Sequence, residues 1–270
     1  MIDMHCHILP GLDDGPACLA DSLLLAKQLA EAGFTAVAAT PHVLEGRDFL
    51  RPATILAAVA ELNQRLRQEG IALEVWPGAE NYIFPELAQW LADQRLLTLA
   101  AQGRHVLVEL PAGEIPSYTE QVFFDLQLAG VTPVLAHPER CLPLADAPER
   151  LLHWAQRGVL LQLDLRSLLG RYGRAVQSAA VRLASAGLVH LVGTDAHGPA
   201  SAAEVYREAA ALLEQACGPA AVRLLQDNPS RVLAGAEVPV SGDYRLPQEE
   251  RHPRLVKRIW KHVIRRAWRD

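Results

Sequence analysis

Phosphate cradles, paired cysteines and long apolar runs are all missing from this 270-residue sequence. No Gly-x-Gly-x-x-Gly or Gly-x-x-x-x-Gly-Lys loop follows an apolar run, which argues against dinucleotide and P-loop binding. The four cysteines, Cys6, Cys18, Cys141 and Cys217, have no short paired spacing, so the chain encodes neither a zinc finger nor a disulfide framework. It opens Met-Ile-Asp-Met and passes straight into polar residues, without a charged n-region, an apolar h-region or a transmembrane run. A cytoplasmic location is the resulting expectation.

What is present is half hydrophobic and about a fifth charged, enough for a sizeable packed core. The net charge of −5 hides an asymmetry. Residues 251–270 hold eight Lys/Arg against Asp270, or +7, so the other 250 residues carry −12. An acidic body argues against nucleic acid as a partner.

Apolar runs predict strands at Ile2–His5, Ala36–Thr40, Leu73–Pro77, His105–Leu110, Thr132–Ala136, Val159–Asp164 and Val189–Thr194. Helical periodicity predicts helices near 20–33, 53–69, 85–93, 118–129, 148–157, 173–187 and 202–216, with a short last one over 228–234. Such alternation means βαβ units with parallel strands. Seven units point to an α/β fold, a distorted seven-stranded (β/α)7 barrel related to the TIM barrel, with an open doubly wound sheet as the alternative. The domain is expected over 1–235, followed by a linker over 236–250 rich in turn residues.

The chemistry gathers at strand ends. Period-two alternation puts Asp3, His5 and His7 on one face, so two imidazoles can reach one ion. Leu12-Asp13-Asp14-Gly15 adds a turn with two carboxylates. His42, Glu80, Glu109, His137, and Asp195 with His197 then stand at or just beyond the ends of later strands. Functional groups converge there in parallel α/β folds. Carboxylates at such places also serve as helix caps, but histidine does not, and five of the ten histidines lie here. Only the strand ending Gln162-Leu163-Asp164 is ambiguous. Imidazole and carboxylate without thiolate suit Mn²⁺, Zn²⁺ or Fe²⁺, with Mg²⁺ where carboxylate and water dominate.

Five segments carry a resemblance: Met-Ile-Asp-Met-His-Cys-His-Ile-Leu-Pro-Gly-Leu-Asp-Asp-Gly, Thr-Pro-His, Pro-Gly-Ala-Glu, Ala-His-Pro-Glu-Arg and Gly-Thr-Asp-Ala-His. Together they resemble the PHP (polymerase and histidinol phosphatase) superfamily. Within it they are most similar to the CpsB/CapC/YwqE-type protein-tyrosine phosphatases of capsule and exopolysaccharide operons. The likeness runs from residue 1 to about 235. It implies two or three divalent ions, Mn²⁺ foremost: one on His5, His7, Glu80 and Asp195, a second on Glu80, Glu109 and His137, a third on Asp14, His42 and His197. Asp13 competes with Asp14 for its place.

The resemblance also implies that Arg140 binds the substrate phosphate, a role suited to a planar, permanently charged fork. A second arginine, usual in the family shortly after the Asp-x-His motif, is missing here. Arg47 is one candidate to compensate, and Arg207 falls inside a helix. The implied reaction is attack of a metal-bridged hydroxide on phosphotyrosine, with His42 or an aspartate as leaving-group acid. The implied partner is an autophosphorylated bacterial tyrosine kinase. A small-molecule phosphomonoesterase, of histidinol phosphate or nucleotide type, and a non-catalytic metal-bound kinase regulator are the alternatives. No cysteine-based phosphate loop is expected, since alternation points Cys6 away from the histidines flanking it.

Beyond the linker, Leu255, Val256, Ile259, Trp260, Val263, Ile264, Ala267 and Trp268 recur at helical spacing among basic residues. This predicts a basic amphipathic helix over 251–270. It is read either as packed on the barrel or on a second copy in a homo-oligomer, or as a peripheral attachment to an anionic membrane or acidic partner. In the second case, deletion of residues 245–270 removes sedimentation with anionic vesicles. Equal sedimentation of the truncated and full chains disposes of the membrane reading.

Overall fold

The computed structural model describes residues 1–44, 49–199, 203–240 and 244. Arg47 and the predicted helix over 251–270 lie outside them. The strands are β1 (Ile2–Cys6), β2 (Ala36–Ala39), β3 (His42–Val43), β4 (Glu74–Pro77), β5 (Glu80–Tyr82), β6 (His105–Glu109), β7 (Thr132–Ala136), β8 (Leu160–Asp164) and β9 (Leu191–Gly193). One sheet has the order β1-β2-β4 and the other β3-β5-β6-β7-β8-β9, with every pair parallel.

Sequence predicts seven strands, whereas the described residues form nine segments. Two of the expected runs are followed by short strands that sequence does not reveal. Thr40-Pro41 stands between β2 and β3, and Gly78-Ala79 between β4 and β5. Proline has no N–H to give to a ladder, and Thr40 instead bonds β1: its Oγ1 accepts from Cys6 N at 3.1 Å. Beyond the breaks, His42 pairs in register with Glu80. Curling of the sheet brings β1 to the end of β9, where Asp195 N donates to His5 O at 2.8 Å and His7 N to Ala196 O at 3.0 Å.

Helices cover the outside: α1 (Leu19–Ala32), α2 (Pro52–Gln68), α3 (Leu87–Ala92), α4 (Thr119–Leu128), α5 (Leu142–Ala145), α6 (Pro148–Gln156), α7 (Leu165–Leu168), α8 (Arg174–Ser185), α9 (Ala203–Cys217), α10 (Ala220–Val222) and α11 (Asn228–Leu233). Those expected from periodicity lie within two residues of expectation. The short α5, α7 and α10 carry too little periodicity to be read. In α2, Ile55, Val59, Leu62 and Leu66 recur at helical spacing and form its buried stripe. Fully burying each such aliphatic side chain contributes about 1.5–3 kcal/mol.

Alternation along the strands separates two apolar layers. Val37, Val106, Val108, Leu135, Leu161, Leu163 and Val192 belong to the large layer shared with the helices. Met4, Ala38, Leu107, Val134, Leu160 and Leu191 form a smaller inner cluster, joined by Leu99, Val232 and Val238. The same alternation sets Glu109 above Leu107, and Gln162 and Asp164 above Leu160. The inner face therefore passes from aliphatic to polar toward the C-terminal strand ends. Of the expected linker, Val238 is buried in the inner cluster and Tyr244 lies against His190.

His190, just before β9, is held neutral by its bonds. Its Nδ1 accepts from Leu161 N at 3.1 Å, so Nε2 carries the hydrogen given to Tyr244 OH at 3.0 Å. Burial pushes its pKa down to about 4, from an ordinary 6.5. Between these values the unfolded chain binds a proton that the folded chain refuses, so this residue costs stability as pH falls through that window. The stability difference between His190→Gln and wild type is accordingly expected to shift toward the variant from pH 6.5 to pH 4. Thermal unfolding at stepped pH measures it, and a constant difference counts against the assignment.

Candidate metal and phosphate site

All nine residues predicted as metal ligands converge at the C-terminal end of the curled sheet. His5 lies in β1 and His7 just past it; His42 opens β3, Glu80 opens β5, and Glu109 ends β6. His137 follows β7, and Asp195 and His197 follow β9. His5 Nε2 and His7 Nε2 face each other at 3.2 Å. Glu80 Oε2 lies 3.1 Å from His5 Nε2, 3.3 Å from His7 Nε2 and 3.0 Å from His42 Nδ1. Asp195 Oδ1 is 3.4 Å from His5 Nε2 and 3.2 Å from His7 Nε2. His137 Nε2 is 2.9 Å from Glu80 Oε1 and 3.9 Å from Glu109 Oε1.

Among the described residues, three groups could hold a metal ion, with donor atoms all within 4.8 Å of one another: His5, His7, Glu80 and Asp195; His7, Asp14, His42 and His197; and His42, Glu80 and Glu109. The first matches the expected set. The second adds His7 to Asp14, His42 and His197. The third has His42 where the resemblance implies His137, although His137 lies within reach of both carboxylates.

The turn after β1 separates the two aspartates. Asp13, with a side chain only 5% exposed, accepts from His7 Nδ1 at 2.7 Å, His42 N at 3.0 Å and Gly15 N at 2.9 Å. It orients His7 and faces away from the cluster centre. Asp14, 67% exposed, brings Oδ1 to 3.3 Å from His197 Nε2 and 3.6 Å from His42 Nε2. On the far side, Gln162 Oε1 meets His5 Nδ1 at 3.0 Å and accepts from His137 N at 3.3 Å. Asp3 accepts from Thr194 Oγ1 at 2.6 Å and from the His5 and Thr194 amides at 3.1 and 2.9 Å, bracing β1 against β9.

Two observations fit this set to divalent cations. Glu80 Oε2 is buried without a hydrogen-bond partner although three imidazole nitrogens surround it. Two ring nitrogens also point at each other, which is favourable only if something is shared between them. Without a cation, protons fill the role. Burial opposes protonation of His5, but Glu80 and Asp195 outweigh it and carry its pKa up to about 9. Burial likewise opposes ionisation of Glu80 and Asp195, yet the imidazoles, His5 first, hold both well below the carboxylate range.

Arg140 lies in the turn after His137. Its Nη1 donates to Asp195 Oδ2 and lies 3.6 Å from Asp164 Oδ2. Three neighbours were not legible as site residues. Asp164 ends β8, and Arg166, two residues on, brings Nη2 to 3.8 Å from the same Asp195 oxygen. Tyr172 accepts from Arg166 Nη2 and lies under Arg140, 4.5 Å from guanidinium carbon to ring centroid. The one available signal was polar Gln162 and Asp164 at i, i+2 in an otherwise apolar strand. Arg207 lies elsewhere, donating to Glu31 O and Glu204 Oε1, both at 2.8 Å.

Among the thiols, Cys6 is in the outer apolar layer, as alternation implies. Cys217 and Arg223 do stand at a Cys-x5-Arg spacing, which the sequence expectation passed over. Cys217 ends α9, donates to Ala184 O at 3.4 Å, and burial pushes its pKa up to about 12, the reverse of a nucleophile.

The class defined by this fold and site is an α/β protein with a curled parallel sheet and a histidine–carboxylate centre able to hold several divalent ions. Comparison with known proteins narrows it. Residues 1–234 match the family "Capsular polysaccharide synthesis, CpsB/CapC", and the chain belongs to that family. It is 39% identical over 258 residues to the tyrosine-protein phosphatase YwqE of Bacillus subtilis, covering 96% of this chain and 97% of YwqE. CapC of Staphylococcus aureus is 30% identical over 197 residues, 73% of this chain and 77% of CapC. A solved chain from the structures of B. subtilis YwqE and Streptococcus pneumoniae CpsB, metal-dependent tyrosine phosphatases, superposes with TM-score 0.84. It shows 36% identity over 92% of this chain and all of that one. The Escherichia coli phosphotriesterase homology protein, 16% identical with TM-score 0.55 over 85% of this chain and 97% of its own, shares the fold alone.

Gly193 permits β9 to pass close against His5. A Cβ there would stand 2.4 Å from His5 Cβ and 2.7 Å from Gln162 Nε2. Gly193→Ala is expected to push His5 out of line, costing about 1–3 kcal/mol of stability and weakening Mn²⁺ binding. Thermal unfolding and calorimetric Mn²⁺ titration test this, and wild-type Mn²⁺ affinity in the variant contradicts it.

Proposed function

We propose that this chain is a metal-dependent protein-tyrosine phosphatase, acting on an autophosphorylated tyrosine kinase of capsule or exopolysaccharide synthesis. The observation that carries the reading is the junction at Asp195. One carboxylate oxygen faces the imidazole cluster and the other takes Arg140, so a guanidinium stands beside the candidate metal centre. Family membership and the phosphatases YwqE and CpsB among the relatives support it.

In this reading His5, His7, Glu80 and Asp195 would hold one ion. Glu80, Glu109 and His137 would hold a second, with His42 in reach of the same carboxylates. Asp14, His42 and His197 would hold a third. Mn²⁺ is the preferred metal, on the balance of imidazole and carboxylate. Bound ions supply an acidified water and neutralise charge on the phosphoryl oxygens. Arg140 holds a phosphoryl oxygen and stabilises charge as it grows. Phenolate, of pKa about 10, leaves more readily than an alkoxide, so little proton donation is asked of His42. The finer architecture of the proposal is a distorted seven-stranded barrel, supported by the β1–β9 backbone bonds. Arg47 and the membrane attachment of residues 251–270 remain within the proposal as sequence gives them.

Turnover of a phosphotyrosyl peptide is expected with Mn²⁺ and is lost after exhaustive chelation. Glu80→Gln is expected to lower kcat at least a hundredfold, while Cys6→Ala leaves it unchanged. Full activity of the demetallated protein sinks the metal reading. Faster turnover of histidinol phosphate or a nucleotide than of the peptide favours the small-molecule reading instead.

A further inference from the structure

We propose that Arg166, reaching in from the end of β8, forms with Arg140 a two-arginine clamp on the substrate's phosphoryl oxygens, and that Tyr172 holds the clamp in shape. The inference rests on the phosphomonoesterase reading and assigns that site a second anion contact. After His197 no arginine occurs before Arg207, and Arg207, on α9, is engaged with the Glu31 carbonyl of α1 and with Glu204. Arg166 comes from the one strand end that sequence left ambiguous.

Three features carry the clamp. Arg140 Nη1 and Arg166 Nη2 approach one oxygen, Asp195 Oδ2, the second at 3.8 Å. Asp164, the second buried carboxylate here, lies 3.6 Å from Arg140 Nη1 and 4.0 Å from Arg166 Nε, so two carboxylates offset the repulsion of the paired guanidiniums and keep both at one place. Next, both guanidiniums lie on the Tyr172 ring, at 4.5 and 5.5 Å, while its hydroxyl takes Arg166 Nη2. The ring thus fixes their spacing and leaves most of their N–H donors uncommitted. Finally, Arg166 Nε is buried without a hydrogen-bond partner. The Arg140 and Arg166 side chains are still 30% and 22% exposed, so an anion entering from solvent can reach them. A phosphomonoester dianion meets both forks with its non-bridging oxygens, on the opposite side of Asp195 from the imidazoles.

The test uses the full-length, Mn²⁺-loaded protein and inorganic orthophosphate as probe. Calorimetry measures orthophosphate binding, and phosphotyrosyl-peptide kinetics give KM and kcat separately. Arg166→Ala, and Arg166→Gln as the bulk-preserving variant, are expected to weaken orthophosphate about ten- to a hundredfold and to raise KM, with bound Mn²⁺ unchanged. Arg166→Lys recovers part of the loss, because it restores the charge without the fork. Tyr172→Phe falls between, and Arg207→Ala matches wild type. Orthophosphate binding unchanged in Arg166→Gln, or a loss that tracks loss of Mn²⁺, overturns the clamp. Wild-type protein that binds orthophosphate through Arg166 yet hydrolyses no phosphotyrosine sinks the functional reading and leaves the clamp standing.

Discussion

Glu80 and Asp195 are buried carboxylates ringed by imidazoles, and the open end of the sheet is organised around keeping their charge compensated. An isolated carboxylate moved out of water costs several kcal/mol even after relaxation. Here the compensation comes from histidines that are themselves buried and would rather be neutral. Protons settle the conflict in the cation-free protein, lifting His5 to about 9. Divalent ions settle it better, because one ion replaces several protons and lets the imidazoles remain neutral donors. Loading and proton release are therefore linked in such a site.

That arrangement survives only if each ring is aimed, and the aiming residues lie one bond further out. Asp13 fixes His7 through Nδ1, Gln162 fixes His5 through Nδ1, and Asp3 pins the His5 and Thr194 backbone. Partners of this kind set which nitrogen faces the ion. The backbone is strained to the same end: His137 and Asp195 hold φ of 27° and 46°, where non-glycine residues cost about 1–3 kcal/mol. Gly193 contributes by lacking a side chain, since nothing else lets β9 pass so close to His5. The aliphatic inner cluster beneath supplies the rigidity that these distortions draw on.

How much of this was legible depends on whether periodicity recorded it. The helices and the long strands announce themselves through 3.6- and 2-residue repeats, and the strand-end histidines stand out because histidine rarely caps a helix. The split that creates β3 and β5 is invisible, because strands of two or three residues carry no pattern; yet it sets His42 in register with Glu80. Asp13 and Asp14 were indistinguishable because a turn has no repeat. Only the three-dimensional path shows one carboxylate folded under His7 and the other turned toward His42 and His197. Arg166 was hidden for a similar reason, its role being created by where Tyr172 and Asp195 lie rather than by its own neighbours in sequence.

Asp195 is where the two halves of the site meet. Its Oδ1 lies among His5 and His7, and its Oδ2 takes Arg140 with Arg166 close by. Any movement that improves one set of contacts is felt by the other, so the proposed cation and anion sites share one side chain. A thiolate chemistry would need none of this, and the thiols of buried Cys6 and partly buried Cys217 are both pushed away from ionisation. The proposed hydrolysis takes its nucleophile from water and asks the protein to hold positive charge on two sides of one phosphoryl group.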